Sequence, residues 1–416
     1  MLKRFLITFG FLLVALTALT FLTNQNPSSS TPKKVVHKNP KVNAKTEIEI
    51  EKVYSPTDAF RVNDTLTDIA NFIAGKKEFK TTLVKDLIKD SAWIKYASKT
   101  NQNWLRLDTN RHASVTRWVD KQLKDISSEK YNLFYPFSGP DFLNADLFFP
   151  TADTVTMFGL EPVGSVPDLK DDIFKDSLYK YVTELKVSLN DILNVSFFKT
   201  KDMFSDLRMA ELNGTTQLLL WFASRRGYSI SNVKHIALAY DGNVIVKTKG
   251  DTAYSRSAIR GIEIACVKDN RNKVIRYFST DISNSGFIHN KRLDLFLNKY
   301  NFTNTLVKSA SYLMHAANFT SIRKLILAKT TNLLQDDTGI PYKHLEDKNW
   351  DLTLYGDYEK PINLFHMNYQ EDLKKAYDSL ETKPLTFGIG YKYRKNESTW
   401  MLVSRKSGKL VVAKSL

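Results

Sequence analysis

The sequence is poor in the residues from which disulfides, metal sites and nucleotide loops are built. It has one cysteine, Cys266, in 416 residues, and its seven histidines show no H-x-x-x-H or H-x-H spacing. One cysteine excludes an internal disulfide and cannot build a zinc site alone. The G-x-G-x-x-G and G-x-S-x-G patterns are also absent. We therefore expect no metal and no cofactor.

Acidic residues are fewer than basic ones. Asp and Glu total 44 against 60 Lys and Arg, which gives a formal net charge of +16. Nucleic acid is the usual partner of such a charge, but we expect none here because the N-terminus predicts export. An anionic component of the cell envelope, either a lipid head group or an acidic polymer, is the expected partner. The alternative is a charged surface that serves only solubility.

The N-terminus contains the one long apolar run. Residues 5–23 carry no charge and follow directly after Lys3 and Arg4. A helix needs about 20 apolar residues to cross a bilayer, whereas the core of a signal peptide has about 7–15. We therefore interpret residues 1–23 as a signal anchor inserted through residues 5–23, with a cleaved signal peptide as the alternative.

The position of the charges predicts the orientation. Basic residues before an apolar run favour a cytoplasmic N-terminus, so the rest of the chain is expected to be periplasmic or otherwise extracytoplasmic, as in a bacterial membrane protein. Cleavage would instead give a secreted protein. Residues 24–56, rich in Pro, Ser, Asn and Lys, predict a disordered tether.

Residues 57–416 are interpreted as one extracytoplasmic α/β domain. Apolar residues at helical spacing predict a helical segment over residues 57–126. A strand at residues 131–137, a helix at 142–150 and a strand at 154–160 then form the outline of a βαβ unit.

Later segments predict both helices and hairpins. Alternating apolar residues predict one hairpin around Asp241–Gly242 and another around residues 270–272. Residues 291–333 are predicted to be helical, and a last hairpin is expected between residues 385–393 and 398–405. The expected fold class is α/β, with a Rossmann-like βαβ core and antiparallel hairpin additions.

The turn after the first strand of the βαβ unit is the first candidate site. A glycine-containing turn between strand and helix can present backbone N–H groups to a ligand, and here it contains Ser138, Gly139 and Asp141. Glu161 ends the next strand, where dinucleotide-binding and methyltransferase-type folds place an acid against ribose hydroxyls. Pro140 removes one N–H donor, so a plain turn with Asp141 as a helix cap is the alternative.

Two further segments contain candidate residues. Asp336 and Asp337 are adjacent carboxylates that would suit acid–base chemistry or cation binding, although a polar turn explains them equally well. Tyr342 follows in the same loop, and Tyr355 lies in a segment whose aromatic rings would suit a sugar. We take Asp141, Glu161, Asp336 and Asp337 as candidate catalytic residues. The candidate binding residues are Ser138, Gly139, Tyr342 and Tyr355.

Three stretches carry a resemblance to known proteins. They are FYPFSGPDFLNADLFFPTADTVTMFGLEPVG (134–164), ELKVSLNDILNVSFFKTKDM (184–203) and LLQDDTGIPY (333–342). In these the chain resembles a set of uncharacterised exported or membrane-anchored bacterial proteins that share a strand–SGPD–helix–GLEPVG core. The resemblance implies a shared fold and an extracytoplasmic location, and it implies no activity.

The expected function is the binding of a small or polymeric ligand at the turns 138–141 and 161–164, because open α/β sheets bind ligands at the carboxyl ends of their strands. One alternative is a cofactor-independent hydrolase that uses the Asp and Glu carboxylates. The other is a structural protein of the envelope.

Overall fold

The computed structural model describes residues 60–126, 131–195, 212–247, 258–346, 349–394 and 397–406. The predicted anchor and tether, residues 1–56, lie outside these ranges. Within the ranges, none of the helices combines the length and the apolar character that crossing a bilayer requires.

The elements of the described part alternate along the chain. The helices are α1 (Asp64–Ile73), α2 (Ser91–Leu107), α3 (Ala113–Gln122), α4 (Phe142–Phe148), α5 (Asp172–Asp176), α6 (Leu178–Val195), α7 (Thr215–Arg225), α8 (Asn284–His289), α9 (Lys291–Lys299), α10 (Thr320–Lys329) and α11 (Glu371–Ser379). The strands are β1 (Asn132–Tyr135), β2 (Thr154–Gly159), β3 (Ser229–Leu238), β4 (Val244–Val246), β5 (Arg260–Lys268), β6 (Arg271–Ser279), β7 (Asn304–Val307), β8 (Asn332–Asp336), β9 (Trp350–Gly356), β10 (Thr382–Lys383) and β11 (Thr399–Arg405).

All these strands belong to one mixed sheet, in the order β10-β9-β11-β8-β7-β1-β2-β6-β5-β3-β4. The five central strands, from β8 to β6 in this order, are mutually parallel. On one side β11 runs antiparallel to both β8 and β9. On the other side β5 runs antiparallel to β6, and β3 runs antiparallel to β5. The α/β class is therefore confirmed.

The predicted strand–helix–strand unit is present as β1, α4 and β2. Its two strands are buried except at Asn132, Thr154 and Gly159, because the sheet is covered on both faces. Neighbouring residues of β1 point into different cores: Leu133 and Tyr135 belong to one, and Phe134 belongs to the other. We call these the first core and the second core. The described part of the chain thus has three layers, with the sheet in the middle.

The helical segment predicted over residues 57–126 is present as α1 to α3 and packs in the first core. Trp221 of α7 donates its indole N–H to the hydroxyl of Tyr96 in α2 over 3.0 Å, and Ile69 of α1 is buried in the same cluster. Residues 55–416 form one compact unit. Cys266 is fully buried in β5, where its thiol donates to the Lys273 carbonyl oxygen.

Two predictions about the second half of the chain were wrong. Residues 291–333 were expected to be helical, but Asn304–Val307 forms the central strand β7, and Asn332–Asp336 forms β8 beyond the end of α10. Both strands are short and almost wholly buried, and a short apolar run carries no periodicity that separates strand from helix.

The predicted C-terminal hairpin was also wrong. Residues 399–405 form β11, which inserts between β8 and β9 instead of pairing with residues 385–393. In that earlier segment the structure has only a single bridge, between Ile389 and Lys392. Alternating residues such as those of β11 fit any antiparallel neighbour, so the pattern could not identify the partner strand.

Candidate functional site

The winding of the sheet changes direction between β1 and β7. From β1 the chain adds β2 and β6 on one side, and it then crosses back to add β7 and β8 on the other. Open α/β sheets bind their ligands at such a switch point, outside the carboxyl ends of the strands. The turn after β1, the end of β2 and the end of β8 all lie at this edge of the sheet.

Asp141 follows β1 and caps helix α4. One carboxylate oxygen accepts the backbone N–H of Asn144 over 3.1 Å, while the other accepts the hydroxyl of Tyr135 over 2.9 Å. Lys308, the residue directly after β7, places its Nζ 3.0 Å from the same oxygen, and both side chains are almost completely buried. The ion pair therefore joins the two strands on either side of the switch point.

The loop after β7 has an uncommon backbone. Ser309, Ser311 and Tyr312 all have φ angles between 51° and 54°, in the left-handed region. Few residues other than glycine adopt this conformation, and a bulky side chain such as that of tyrosine does so least often. Backbone strain of this kind is concentrated at functional sites, where the surrounding structure maintains it.

The same loop contacts the carboxylates at the end of β8. The backbone N–H of Ser309 donates to Asp336 Oδ2 over 2.8 Å, and Thr338 donates its backbone N–H and its hydroxyl to Oδ1. Burial raises the pKa of Asp336 to about 6, and the negative charge of Asp337 adds to the increase. A carboxyl with a pKa near neutrality can both accept and return a proton at physiological pH.

Asp337 has different partners from its neighbour. Its Oδ2 accepts the hydroxyl of Tyr312 over 2.6 Å and lies 3.1 Å from the Nζ of Lys392. The ammonium of Lys392 also lies over the ring of Tyr358. We use the name strand-end cluster for Asp141, Lys308, Asp336, Asp337 and Lys392.

Glu161 is buried beside the turn that follows β1. It is 2% exposed, and the hydroxyl of Tyr277 donates to its Oε2 over 3.0 Å. Within the described residues no basic side chain pairs with it, and burial raises the pKa of this carboxyl. An ionised carboxylate without a counter-ion is expensive to bury. The buried carboxylate of Glu161 is therefore a candidate for a role in function.

Two glycines leave room for this carboxylate. Gly139 has φ +52°, and a Cβ atom on it would lie 3.4 Å from Glu161 Oε1. On Gly159 a Cβ atom would lie 2.2 Å from Oε2 and 2.8 Å from the Tyr277 hydroxyl, closer than real Cβ contacts allow. The space around Glu161 thus depends on the absence of side chains at both positions.

The structure brings most of the predicted site residues together. Gly139 lies against Glu161, and the adjacent residues Lys308 and Ser309 connect Asp141 to Asp336. Ser138 is buried in the same turn, where its hydroxyl donates to the Phe158 carbonyl.

The two predicted tyrosines lie elsewhere. Tyr342 lines a cavity of about 590 Å³ together with His315 and Gln370, beyond the end of β8. Gln370 joins this cavity to the strand-end cluster, because its side chain accepts the Tyr342 backbone N–H and donates to the Asp337 carbonyl. Tyr355 is 1% exposed in β9, with its ring 4.8 Å from that of Trp118.

Sequence reasoning missed Lys308, Lys392 and Tyr277. Each is one member of a common residue type and lies far along the chain from the carboxylate that it contacts. The only signal near Lys308 was the apolar run before it, which was interpreted as helix. Once that run is recognised as a parallel strand, the residue after it must lie at the same edge as Asp141.

The described residues contain no group of three or more His, Cys, Asp or Glu side chains arranged to hold a metal ion. Comparisons of the chain with protein-family models, with curated proteins and with solved structures find no match. The resemblance to exported bacterial proteins stays a prediction.

Proposed function

We propose that the protein binds a ligand with neighbouring hydroxyl groups at the carboxyl edge of its parallel strands, between the turns 138–141 and 161–164. The observation that carries the proposal is the buried carboxylate of Glu161, which faces a left-handed glycine and lacks a cationic partner among the described residues. A carboxylate only accepts hydrogen bonds and has two oxygens, so a pair of hydroxyl donors suits it.

The strand order supports this site. Five strands of the sheet are parallel: β1, β2, β6, β7 and β8. If they are numbered 1 to 5 along the chain, their order across the sheet, read from β6 to β8, is 3-2-1-4-5, which is the order of Rossmann-like folds. The antiparallel β11 and then β9 continue the sheet, as strands 7 and 6 do in methyltransferase-type folds. In such folds the acid at the end of the second strand accepts ribose hydroxyls, and Glu161 has that place here.

A cavity beside Glu161 offers space for the rest of the ligand. It has a volume of about 430 Å³ and is lined by Pro162, Val163 and Gly164, together with Ser279 at the end of β6 and Arg260 at the start of β5. This volume is in the range of small-molecule sites, roughly 300–1,000 Å³. Nucleosides and sugars share the required pair of hydroxyls, and an oligosaccharide would be the polymeric form of the ligand.

The test measures binding by isothermal titration calorimetry with adenosine, S-adenosylmethionine and an N-acetylglucosamine oligosaccharide, each in a separate arm. We expect the wild-type protein to bind in one arm, and Glu161→Gln to weaken that binding at least about tenfold, because hydrogen bonds to a charged acceptor contribute about 1.5–3 kcal/mol. The control is Glu78→Gln, which changes an exposed glutamate. Failure of all three probes to bind the wild-type protein would contradict the proposal.

The raised pKa of Asp336 favours a second candidate function, that of a cofactor-independent hydrolase. With its pKa raised to about 6, Asp336 would take a proton from the attacking water and return it to the leaving group. Turnover of nitrophenyl esters or glycosides should then rise as the pH increases through about 6, and Asp336→Asn should abolish it. The control Asp351→Asn, at an exposed position, should retain turnover. Equal rates in both variants would exclude this role.

A further inference from the structure

A third cavity, on the face formed by α2 and α3, has a strongly basic lining. Its volume is about 520 Å³, and Arg106, Arg111 and Arg117 all line it. No acidic side chain lines it among the described residues. The cavity near Tyr342, in contrast, is lined by Glu346, Glu371 and Asp372 as well as by lysines, so a lining with three arginines and no acid is not a general feature of this surface.

The backbone between the two helices brings the arginines together. Residues Asp108–His112 form a π-helical turn that joins α2 to α3. Such turns are rare and are found frequently at functional sites. This turn contains Arg111, whose guanidinium donates to the carbonyl oxygens of Leu193 and Asn194 at the end of α6, over 3.3 and 2.8 Å. Arg111 is thereby held in place in the wall of the cavity.

Two of the three arginines have no acidic partner within the described part of the chain. Neither Arg106 nor Arg117 pairs there with an acidic side chain, and both are exposed. Asp108 and Asp120 are the nearest acids in sequence, and neither lines the cavity; Asp108 lies 3.3 Å from Nδ1 of His112. Burial lowers the pKa of Arg111, and the positive charge of Arg106 adds to the decrease. A bound anion would relieve this repulsion.

We propose that this arginine cavity binds a phosphate group. The planar guanidinium forms paired hydrogen bonds with phosphate oxygens, which makes arginine the preferred residue for such recognition. A phosphate monoester carries about −1.5 to −2 charges at pH 7, and it therefore matches the exposed guanidinium groups of Arg106 and Arg117 better than a single carboxylate does. The group belongs either to a small phosphorylated molecule or to a phospholipid head group.

Two arms of one experiment distinguish these sources. The full-length protein is titrated with inorganic phosphate by calorimetry, and it is sedimented with phosphatidylcholine vesicles prepared with and without phosphatidic acid. Binding of inorganic phosphate alone identifies a small ligand. Additional sedimentation that depends on phosphatidic acid identifies the head group. The N-terminal run and the overall positive charge are nearly the same in every variant, so a difference between the wild-type protein and the cavity variants reports on the cavity.

The decisive variant is the double substitution Arg106→Ala and Arg117→Ala, which leaves the structural contacts of Arg111 intact. We expect it to lower the affinity at least about tenfold, since each charge-assisted hydrogen bond contributes about 1.5–3 kcal/mol. Arg117→Lys keeps the charge but loses the paired geometry, and we expect it to have a smaller effect in the same direction.

The matched control is Lys121→Ala, which removes one exposed positive charge from the same helix α3 outside the cavity. It should bind within about twofold of the wild-type protein, as expected of a surface change of less than about 0.5 kcal/mol. The proposal is overturned if the wild-type protein binds neither probe. It is equally overturned if the double variant binds as tightly as the control.

Discussion

The buried carboxylates of this protein differ in what neutralises them. Asp141 and Asp337 each lie about 3 Å from a buried lysine ammonium, whereas Glu161 and Asp336 accept only from hydroxyl and backbone donors in the described residues. The pKa values of the latter two are raised by burial. A protein that retains uncompensated carboxylates gives up stability, as is common at functional sites.

This difference predicts how stability depends on pH. Because the pKa of Glu161 is raised in the folded state, the folded protein holds a proton that the unfolded chain releases, and stability falls as pH rises from the ordinary pKa to the raised one. The variant Glu161→Gln has no carboxyl group to ionise at this position, so it does not lose stability in this way as the pH rises. We expect the variant to be more stable than the wild-type protein at pH 8, with a gap that closes toward pH 4 in urea unfolding measurements.

The opposite result would identify a purely structural role for Glu161. If the carboxylate mainly stabilised the turn after β2, the glutamine variant would be less stable than the wild-type protein at pH 8. Loss of ligand together with increased stability, in contrast, is the expected signature of a binding group.

At the scale of the elements, the ion pair between Asp141 and Lys308 connects the start of α4 to the loop after β7. Removing one member of a buried pair leaves an uncompensated charge and costs about 3–5 kcal/mol, whereas replacing both is far less harmful. We expect Lys308→Met to lower the free energy of unfolding by about that amount. Adding Asp141→Asn should restore most of it, because asparagine also caps helices well.

The double-mutant cycle needs four proteins and one unfolding curve for each. The coupling between the two substitutions measures the interaction directly. Additive effects would mean that the pair does not hold the loop, and that other contacts maintain the left-handed residues Ser309, Ser311 and Tyr312.

How well each element could be predicted from the sequence follows from its length and exposure. The unit β1–α4–β2 was predicted to within two residues at each boundary, since its glycine turn separates two apolar runs and Asp141 caps the helix that follows the turn. Strands β7 and β8 were not predicted, because four or five buried residues next to helices give no periodic signal. Lys308 was missed with them, and so was the link between Asp141 and Asp336.

At the scale of the whole molecule, one sheet separates the two cores, and every central strand contributes to both. In β7, Leu306 points into the first core and Val307 into the second. Neither core can therefore lose its packing without exposing the strands that the other one covers. The central strands are packed on both faces, which favours the preorganisation that a binding site at their carboxyl edge requires.

A pair of substitutions tests this coupling. Leu306→Ala opens the first core and Leu333→Ala opens the second, and both leucines are fully buried. We expect each to lower the free energy of unfolding by about 2–5 kcal/mol. Each should shift a single transition that circular dichroism and tryptophan fluorescence report together.

The control for this pair is Leu364→Ala at an exposed position, which should change stability by less than about 0.5 kcal/mol. Two separate transitions in either core variant would mean that the layers unfold independently.

The two edges of the sheet are formed by its shortest strands. On one side the sheet ends in β10, of two residues, and on the other it ends in β4, of three. An exposed edge invites a strand from another copy to add to it, and this addition starts aggregation and fibril growth. Strands this short offer too few free backbone groups for a stable addition. At these two strands the broad sheet is therefore protected against extension by a strand of another copy.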